Sequence, residues 1–376
     1  MKEILFNVPL YFNKSSNNVK NFLNSKKPLH GPGSNLKKIR KILKKIFSFQ
    51  HTYLTNSCTS ALEICALSME LKPTDEILVP SFAFITTASS FARTGCRIKY
   101  LDIDQKNLMP NFFEIKKKIT KKTKAIVLIH YQGYSVDYLE ELKNLCKRKK
   151  ILFVEDAAQA FGSYYKNKPL GSFGDFACFS FHETKNIHSG TGGLLVVNNK
   201  KFLNKVNSIF DKGTNRYLME KKKVKYYSWV NIGSSFLMNE FNASYLLPQI
   251  INYKNIFFKR SLLFNQYYKN LTILNGRKIF FTNHFKYRYN YHAFVIILKK
   301  NIREKFLRYL KKNGINAVIS YTPLHKSHFG KKFLIQYENL IKTEYCTKRI
   351  VRLPLHNSLT IQNVNYITSK ILNFFK

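Results

Sequence analysis

The 376-residue sequence predicts an α/β protein, with one large domain built on a mostly parallel sheet covered by helices on both faces and a smaller α+β unit after it. Three observations carry this. Between about residues 50 and 200, short apolar runs alternate with segments of helical spacing, the pattern of parallel strands joined by crossover helices. After Asn239 the pattern becomes one long helical stretch, and beyond that strands and helices alternate again over a shorter span.

In the large domain, Ile77 to Pro80, Arg97 to Ile103, Ala125 to His130, Ile151 to Asp156, Phe176 to Phe181 and Gly193 to Val197 are apolar and bounded by polar, Gly or Pro residues, as buried strands are. Ser60 to Leu71, Ile85 to Arg93 and Val136 to Lys150 predict helices; in the last, Leu139, Leu142 and Cys146 recur at helical spacing. The helical region after Asn239 runs past Tyr267 and is expected to kink or break around Pro248. Ala293 to Leu298 and Ala317 to Tyr321 then predict strands, Arg303 to Lys312 a helix closed by Gly314, and a final helix starts at about Ile361. The expected division is an N-terminal segment 1–25, a large domain 26–245 and a small domain 246–376.

The chain carries 63 basic and 21 acidic residues, a net charge of +42, a balance that usually points to a polyanionic partner. Here the lysines are dispersed in short runs such as Lys116 to Lys118, Lys147 to Lys150 and Lys221 to Lys223. The accompanying wealth of Asn, Ile, Phe and Tyr matches AT-rich codon usage, so genome drift accounts for the charge and no nucleic acid partner is expected. The six cysteines show neither C-x-x-C pairs nor metal spacing, so no metal site is predicted and a reduced, cytoplasmic protein is expected. The acid at position 3 and the early polar interruption disqualify the N-terminus as a secretory signal, and no apolar run approaches the roughly 20 residues of a membrane helix.

The chemistry centres on Lys185, which follows Asp156 by 29 positions. A strand-end Asp and a lone Lys in a polar turn supply what pyridoxal 5′-phosphate requires: an acid for the ring nitrogen and an amine for the Schiff base. Read singly, Asp156 in Glu155-Asp156-Ala157-Ala158 also suits a helix N-cap, and Lys185 is one more lysine in a Lys-rich chain. Ser57-Cys58-Thr59-Ser60 opens a helix, so the amides of Cys58 and Thr59 and the nearby hydroxyls suit a phosphate, with Ser180 adding another hydroxyl. Phe84, just past a strand, is a candidate to stack on the ring, and Gln159 to meet the phenolic oxygen. Core packing and ordinary capping remain open for Phe84 and the Ser57 turn.

With these residues in view, the chain resembles the DegT/DnrJ/EryC1/StrS sugar-nucleotide aminotransferases nearly end to end. The motifs that carry the resemblance include Ser57 to Glu63, Phe179 to Asn186, Asp211 to Arg216 and Trp229 to Ser235. It implies a fold type I pyridoxal phosphate-dependent transferase, aspartate aminotransferase-like. Lys185 then forms the Schiff base and shuttles the proton, Asp156 pairs with the ring nitrogen, and Gln159 meets the phenolic oxygen. Phe84 stacks, and Cys58, Thr59 and Ser180 hold the phosphate. It implies L-glutamate as donor and dTDP-4-dehydro-6-deoxy-D-glucose as acceptor, in enterobacterial common antigen synthesis. It also implies a homodimer in which the Gly233-Ser234-Ser235 segment reaches the neighbouring subunit's site, where relatives often have Asn at the position of Ser235. Tyr321 and His325 match the substrate-side motif, and Arg216 is a candidate for a substrate carboxylate or diphosphate.

One departure stands out. Where relatives read Gly-Glu-Gly-Gly after the Schiff-base lysine, this chain has Gly190-Thr191-Gly192-Gly193, keeping the turn but losing an acid. Retention of Lys185 argues against the 3-dehydratases of the same fold, which replace it with His. A sister enzyme for another ketosugar, and a decayed inactive relative, remain alternatives.

Overall fold

The computed structural model describes residues 3–282, 286–333 and 339–376. Two helices, α1 (Asn13–Asn24) and α2 (Ser34–Phe47), precede the alternating region. There β1 (Thr52–Thr55), α3 (Cys58–Ser68), β2 (Glu76–Pro80), α4 (Ile85–Ala92), β3 (Arg97–Leu101), α5 (Phe112–Lys118), β4 (Thr123–Ile129), α6 (Leu139–Lys149) and β5 (Leu152–Asp156) follow one another. A small hairpin, β6 (Tyr164–Tyr165) and β7 (Lys168–Pro169), leads to β8 (Phe176–Ser180) and β9 (Gly193–Val197).

These strands form a seven-stranded sheet in the order β1-β9-β8-β5-β4-β2-β3. All run in one direction except β9, which is antiparallel to both β8 and β1. β2, β8 and β9 are buried along their whole length, which is why their sequences read as continuous rather than alternating apolar runs. β1 escapes the sequence reading because Thr52-Tyr53-Leu54-Thr55 is four residues long and half polar; its pairing with β9 comes from far along the chain.

Next come α7 (Leu203–Phe210), α8 (Arg216–Glu220), α9 (Glu240–Ile251) and α10 (Tyr253–Leu271). The break expected around Pro248 falls four residues beyond it: α9 continues through the proline to Ile251, and Asn252 separates it from α10. The carbonyl of Ser244, which Pro248 cannot bond because it has no N–H, instead accepts from Asn18 Nδ2 of α1 at 2.6 Å. Asn252 then closes the helix, with its amide and side chain both donating to Pro248 O. α9 also anchors α2, since the buried carboxylate of Glu240 accepts from the amides of Asn35 (2.9 Å) and Leu36 (3.0 Å) at that helix's N-terminus.

The C-terminal part comprises β10 (Ile279–Phe281), β11 (Phe294–Leu298), α11 (Arg303–Lys312), α12 (Ile341–Thr347), β12 (Ile350–Leu353) and α13 (Ile361–Phe375). An antiparallel sheet, β10-β11-β12, packs against α10 through Tyr267, whose ring stacks on Phe294 at 4.8 Å. The strand expected over Ala317 to Tyr321 is reduced to a single bridge, Val318 to Arg352, because the chain turns away to bring Tyr321 toward the large sheet. The N-terminal segment also reaches this region: Ile4 donates to Gly314 O at 2.8 Å and bridges Ile315.

Candidate active site

Reversal of β9 brings its first residue to the edge where the parallel strands end. Gly193 pairs with Ser180 at the end of β8 and with Thr55 at the end of β1, and Asp156 ends β5 at the same edge. A Cβ on Gly193 would stand 2.4 Å from the carbonyl group of Ser57 and 2.5 Å from Cys58 N, so only glycine lets the turn into α3 rest on the strand. Ser57 caps that helix by accepting the Ser60 amide at 3.0 Å. The amides of Cys58 and Thr59 have no protein acceptor among the described residues, and both residues line a cavity of about 410 Å³.

Adjacent carboxylates at the end of β5 point to opposite faces and meet different surroundings. Glu155 accepts from the amides of Gly171, Phe173 and Gly174 and pairs with His130 Nε2 at 2.8 Å. Burial drives its carboxyl up, but His130 and the amides prevail and hold it below the ordinary carboxylate range. It pins the 171–174 turn.

Asp156, also buried, faces the cavity and accepts from Thr87 Oγ1 at 2.6 Å and the Ala158 amide at 3.1 Å. Burial raises its carboxyl, and those hydrogen bonds with the charges of Lys185 and His130 only partly counter this.

Lys185 occupies the turn after β8, held by its amide's bond to His182 O at 2.9 Å, and its side chain lines the same cavity. Burial lowers its amine to about 8; Cys58 and Asp156 oppose the shift and Arg352 reinforces it. A lysine so placed is a nucleophile and a proton carrier near neutral pH.

Gln159 has a fixed orientation, because its Oε1 accepts the Gln132 amide at 2.7 Å and its Nε2 donates to the Tyr321 hydroxyl at 2.6 Å. Tyr321 in turn packs against Phe82 and Phe84, with ring centroids 5.4 and 6.3 Å away. Phe84, at 55% exposure, stands beside the cavity at the start of α4.

Thus Lys185, Asp156, Cys58, Thr59, Phe84, Gln159, Ser180 and Tyr321 share one cavity. The other three candidates do not line it. His325 is buried between Ser81 Oγ (2.6 Å) and Glu344 Oε1 (3.3 Å), linking the end of β2 to α12. Ser235 and Arg216 line a separate cleft of about 240 Å³ with Arg40, Tyr53 and Lys212. There Arg216 Nε lies 3.5 Å from Asp211 and its guanidinium covers the Tyr227 ring at 4.6 Å. Thr191 stands at the main cavity, and its carbonyl accepts from Ser189 Oγ and Asn242 Nδ2.

Sequence reasoning missed Thr87, His292, Arg352 and the N-terminal pair Phe6 and Asn7, which also line the cavity. A lone arginine inside the short apolar strand β12 was a usable signal for Arg352. Nothing local marks Phe6 or Asn7, since bonds to distant segments bring them there, among them the bridge between Ile4 and Ile315 and the contact of His356 Nε2 with Leu5 O at 3.2 Å.

Comparison with known proteins bears directly on this site. The model of the DegT/DnrJ/EryC1/StrS aminotransferase family matches residues 12–372. The chain belongs to that family. It is therefore a sugar aminotransferase working with pyridoxal 5′-phosphate, on a fold type I scaffold. A relative among curated proteins is an uncharacterised protein of Methanocaldococcus jannaschii, 28% identical over 318 residues and covering 82% of each chain. Among solved structures, the Helicobacter pylori aminotransferase PseC, involved in the biosynthesis of pseudoaminic acid, superposes with a TM-score of 0.90 at 25% identity, over 100% of this chain and 99% of that one. The aminotransferase from Psychrobacter cryohalolentis gives 0.90 at 19% identity over 98% of both chains, a likeness of fold alone.

Proposed function

We propose that the protein transfers the amino group of L-glutamate to the 4-keto carbon of dTDP-4-dehydro-6-deoxy-D-glucose, yielding dTDP-4-amino-4,6-dideoxy-D-galactose for enterobacterial common antigen synthesis. The observation that carries the chemistry is the shared cavity of Lys185, buried Asp156 and the open amides of Cys58 and Thr59. The choice of acceptor is supported by the motifs Phe179 to Asn186, Asp211 to Arg216 and Trp229 to Ser235. Pyridoxal phosphate, when bound, supplies an electron sink for the carbon that loses or gains the amino group.

The residues present fit that cofactor. The unused amides at the start of α3, joined by the Ser180 hydroxyl, would hold the phosphate. Asp156 would pair with the ring nitrogen, the role for a carboxylate held out of water. Gln159 would meet the phenolic oxygen and Phe84 cover the ring face. Lys185, whose amine burial lowers to about 8, would take the proton from the donor's carbon and, once charged, return it to the carbon on the far side of the transferred nitrogen. Thr191 removes an acid from the rim, but the side chains of Ser189 and Asn242 still order the turn.

The two-domain division at 245/246 and a homodimer belong to the same reading. Ser235, in a loop whose Trp229 is 82% exposed, would approach the partner's site, so light scattering is expected to show a dimer. A cytoplasmic location is part of the proposal; among the described residues no helix is long and apolar enough to cross a membrane. A different ketosugar is the second reading, favoured by the likeness to PseC, which serves pseudoaminic acid synthesis.

The test is the visible absorbance of the cofactor-loaded protein, followed through addition of glutamate and then of the ketosugar, with Lys185→Ala alongside. Loss of the band with glutamate and its return with dTDP-4-dehydro-6-deoxy-D-glucose, both missing in the variant, is the expected result. Loss without return rejects this acceptor, and no response to glutamate rejects this donor.

A further inference from the structure

His292 is a buried titratable residue of the cavity that the chemistry above does not use. Its ring is 5% exposed and lines both the main cavity and a space of about 10 Å³ behind it, and Lys185 lines the same two. The backbone on either side fixes its place. Arg260 Nη2 donates to His292 O at 2.7 Å, and Ala293 leads directly into β11 at Phe294.

The hydrogen bonds around the ring decide which nitrogen carries the proton. Asn186 Nδ2 donates to Asn290 O at 2.6 Å, which turns the other end of that amide, Oδ1, toward His292 Nδ1 at 3.1 Å. An amide oxygen can only accept, so Nδ1 holds the hydrogen and Nε2 is left as an acceptor. Nε2 has no hydrogen-bond partner among the described residues. Unlike Nδ1 of His130 and of His356, it is not sealed within the core, so its lone pair opens to the cavity. Burial, and after it the charges of Lys185, Arg352 and Arg260, holds the ring well below the ordinary 6.5, so it stays uncharged at neutral pH. Asn186 directly follows Lys185, so the side chain that orients the ring hangs on the same turn as the amine.

We infer that His292 is a positioning residue whose Nε2 accepts a hydrogen bond from the Lys185 ammonium and holds it in place between taking a proton and returning it, an inference that rests on the aminotransferase reading of this cavity. An amine on a flexible four-carbon stem, free in a cavity of about 410 Å³, needs a fixed partner if it is to meet two carbons in turn. Asp156 is already occupied by Thr87 and the Ala158 amide. A neutral acceptor also suits the task better than a carboxylate, which would bind the ammonium strongly enough to keep its proton on. The imidazole offers a hydrogen bond without competing for the proton, because the amine, lowered to about 8 mainly by burial with Cys58, Arg352 and Asp156 also acting on it, remains the stronger base.

The test compares wild type with His292→Phe, which keeps a ring and removes the acceptor, and His292→Gln, which restores an acceptor. The apoproteins are read first, through the pH dependence of pyridoxal phosphate capture in stopped flow. Removing the acceptor favours the uncharged amine. The midpoint, about 8 in wild type, is therefore expected about one pH unit lower in His292→Phe and back toward wild type in His292→Gln. Nitrogen-15 NMR of histidine-labelled wild type is expected to show the signal missing from both variants as the neutral Nδ1–H form, still uncharged at pH 6.5. Loaded protein is then mixed with glutamate in single turnover. The rate is expected to fall roughly 10-fold in His292→Phe, with a larger isotope effect from glutamate deuterated at its reacting carbon, and to recover in His292→Gln. The glutamate concentration giving half the maximal rate is expected to stay within about threefold of wild type.

An unmoved capture midpoint in His292→Phe overturns the inference, as does equal damage in the two variants, which would mean that the ring only packs. An Nε2–H form in the spectrum overturns it independently of either variant's folding. A loss confined to the ketosugar half-reaction would give Nε2 to a substrate hydroxyl and also overturns it. If the midpoint moves as expected yet glutamate leaves loaded wild type unchanged, the contact between His292 and Lys185 stands and the reading of glutamate as donor fails.

Discussion

Thr87 Oγ1 donates to Asp156 Oδ2 at 2.6 Å, tying the first turn of α4 to the end of β5 inside the cavity. The bond joins the two walls between which the cofactor ring would lie, because α4 begins directly after Phe84. Thr87→Val removes the donor and leaves one oxygen of a buried carboxylate unsatisfied, at a cost of about 1–3 kcal/mol. Affinity for pyridoxal phosphate is expected to fall roughly tenfold, measured by titration of the apoprotein; affinity equal to wild type would show that the bond does not orient Asp156.

Asp156 also makes a statement about stability. Its carboxyl is raised above the ordinary 3.8 by burial. As pH climbs through that ordinary value the unfolded chain ionises first, so the contribution of Asp156 to folding is greatest at low pH and is lost as pH rises toward the folded value. Above the folded value the apoprotein carries the full penalty. Asp156→Asn is therefore expected to raise the melting temperature of the apoprotein by roughly 1–3 °C while weakening cofactor binding, and a lower melting temperature would contradict the assignment.

Lys185 sets a pH dependence for cofactor capture. Its amine is lowered from 10.5 to about 8, so the neutral, nucleophilic form appears as pH rises through about 8. Stopped-flow mixing of apoprotein with pyridoxal phosphate is expected to show a capture rate that increases with pH and levels off above that value. A rate still climbing toward the pH range of free lysine would mean the amine is solvated.

Gly193→Ala places a methyl group against backbone atoms of Ser57 and Cys58, neither of which yields by a side-chain rotation. The turn into α3 must shift, and overpacking of this kind costs about 1–3 kcal/mol. Chemical denaturation and cofactor titration are both expected to register the change, with affinity reduced more than tenfold.

Glu240→Gln tests the anchor between α9 and α2. The glutamine keeps one acceptor but loses the charge at the helix N-terminus, so a destabilisation of about 1–2 kcal/mol is expected in urea unfolding. Cofactor affinity in the folded variant is expected to remain that of wild type.

Much of this architecture was legible because burial writes itself into the sequence. β9 was bounded to the residue, and α11 likewise, since an apolar run and a Gly314 stop signal leave little freedom. Asp156, Gln159 and Ser180 were legible for the same reason, lying on or just past continuous apolar strands. What could not be read depends on distant partners. The break falls at Asn252 and not at Pro248 itself, where the carbonyl freed by the proline finds a donor in Asn18, in a different helix. Tyr321 reaches the cavity by leaving its strand pattern, while His325, four residues later, is drawn into the core by Ser81 and Glu344. Such outcomes rest on side-chain bonds between segments and leave no periodic trace.

The antiparallel strand β9 also sets the order in which a newly made chain can assemble. β1 cannot find its sheet neighbour until Val196, the partner of Thr52, has been synthesised, and until then β1 and β8 both present open edges. The cradle formed by Ser57, Cys58 and Gly193 is thus completed late, after every other strand of the large sheet has emerged from the ribosome. A ribosome pausing before β9 would hold β1 apart from the rest of the sheet with no place for a phosphate, whereas one pausing after it would hold a sheet in which that single strand joins β1 to β8.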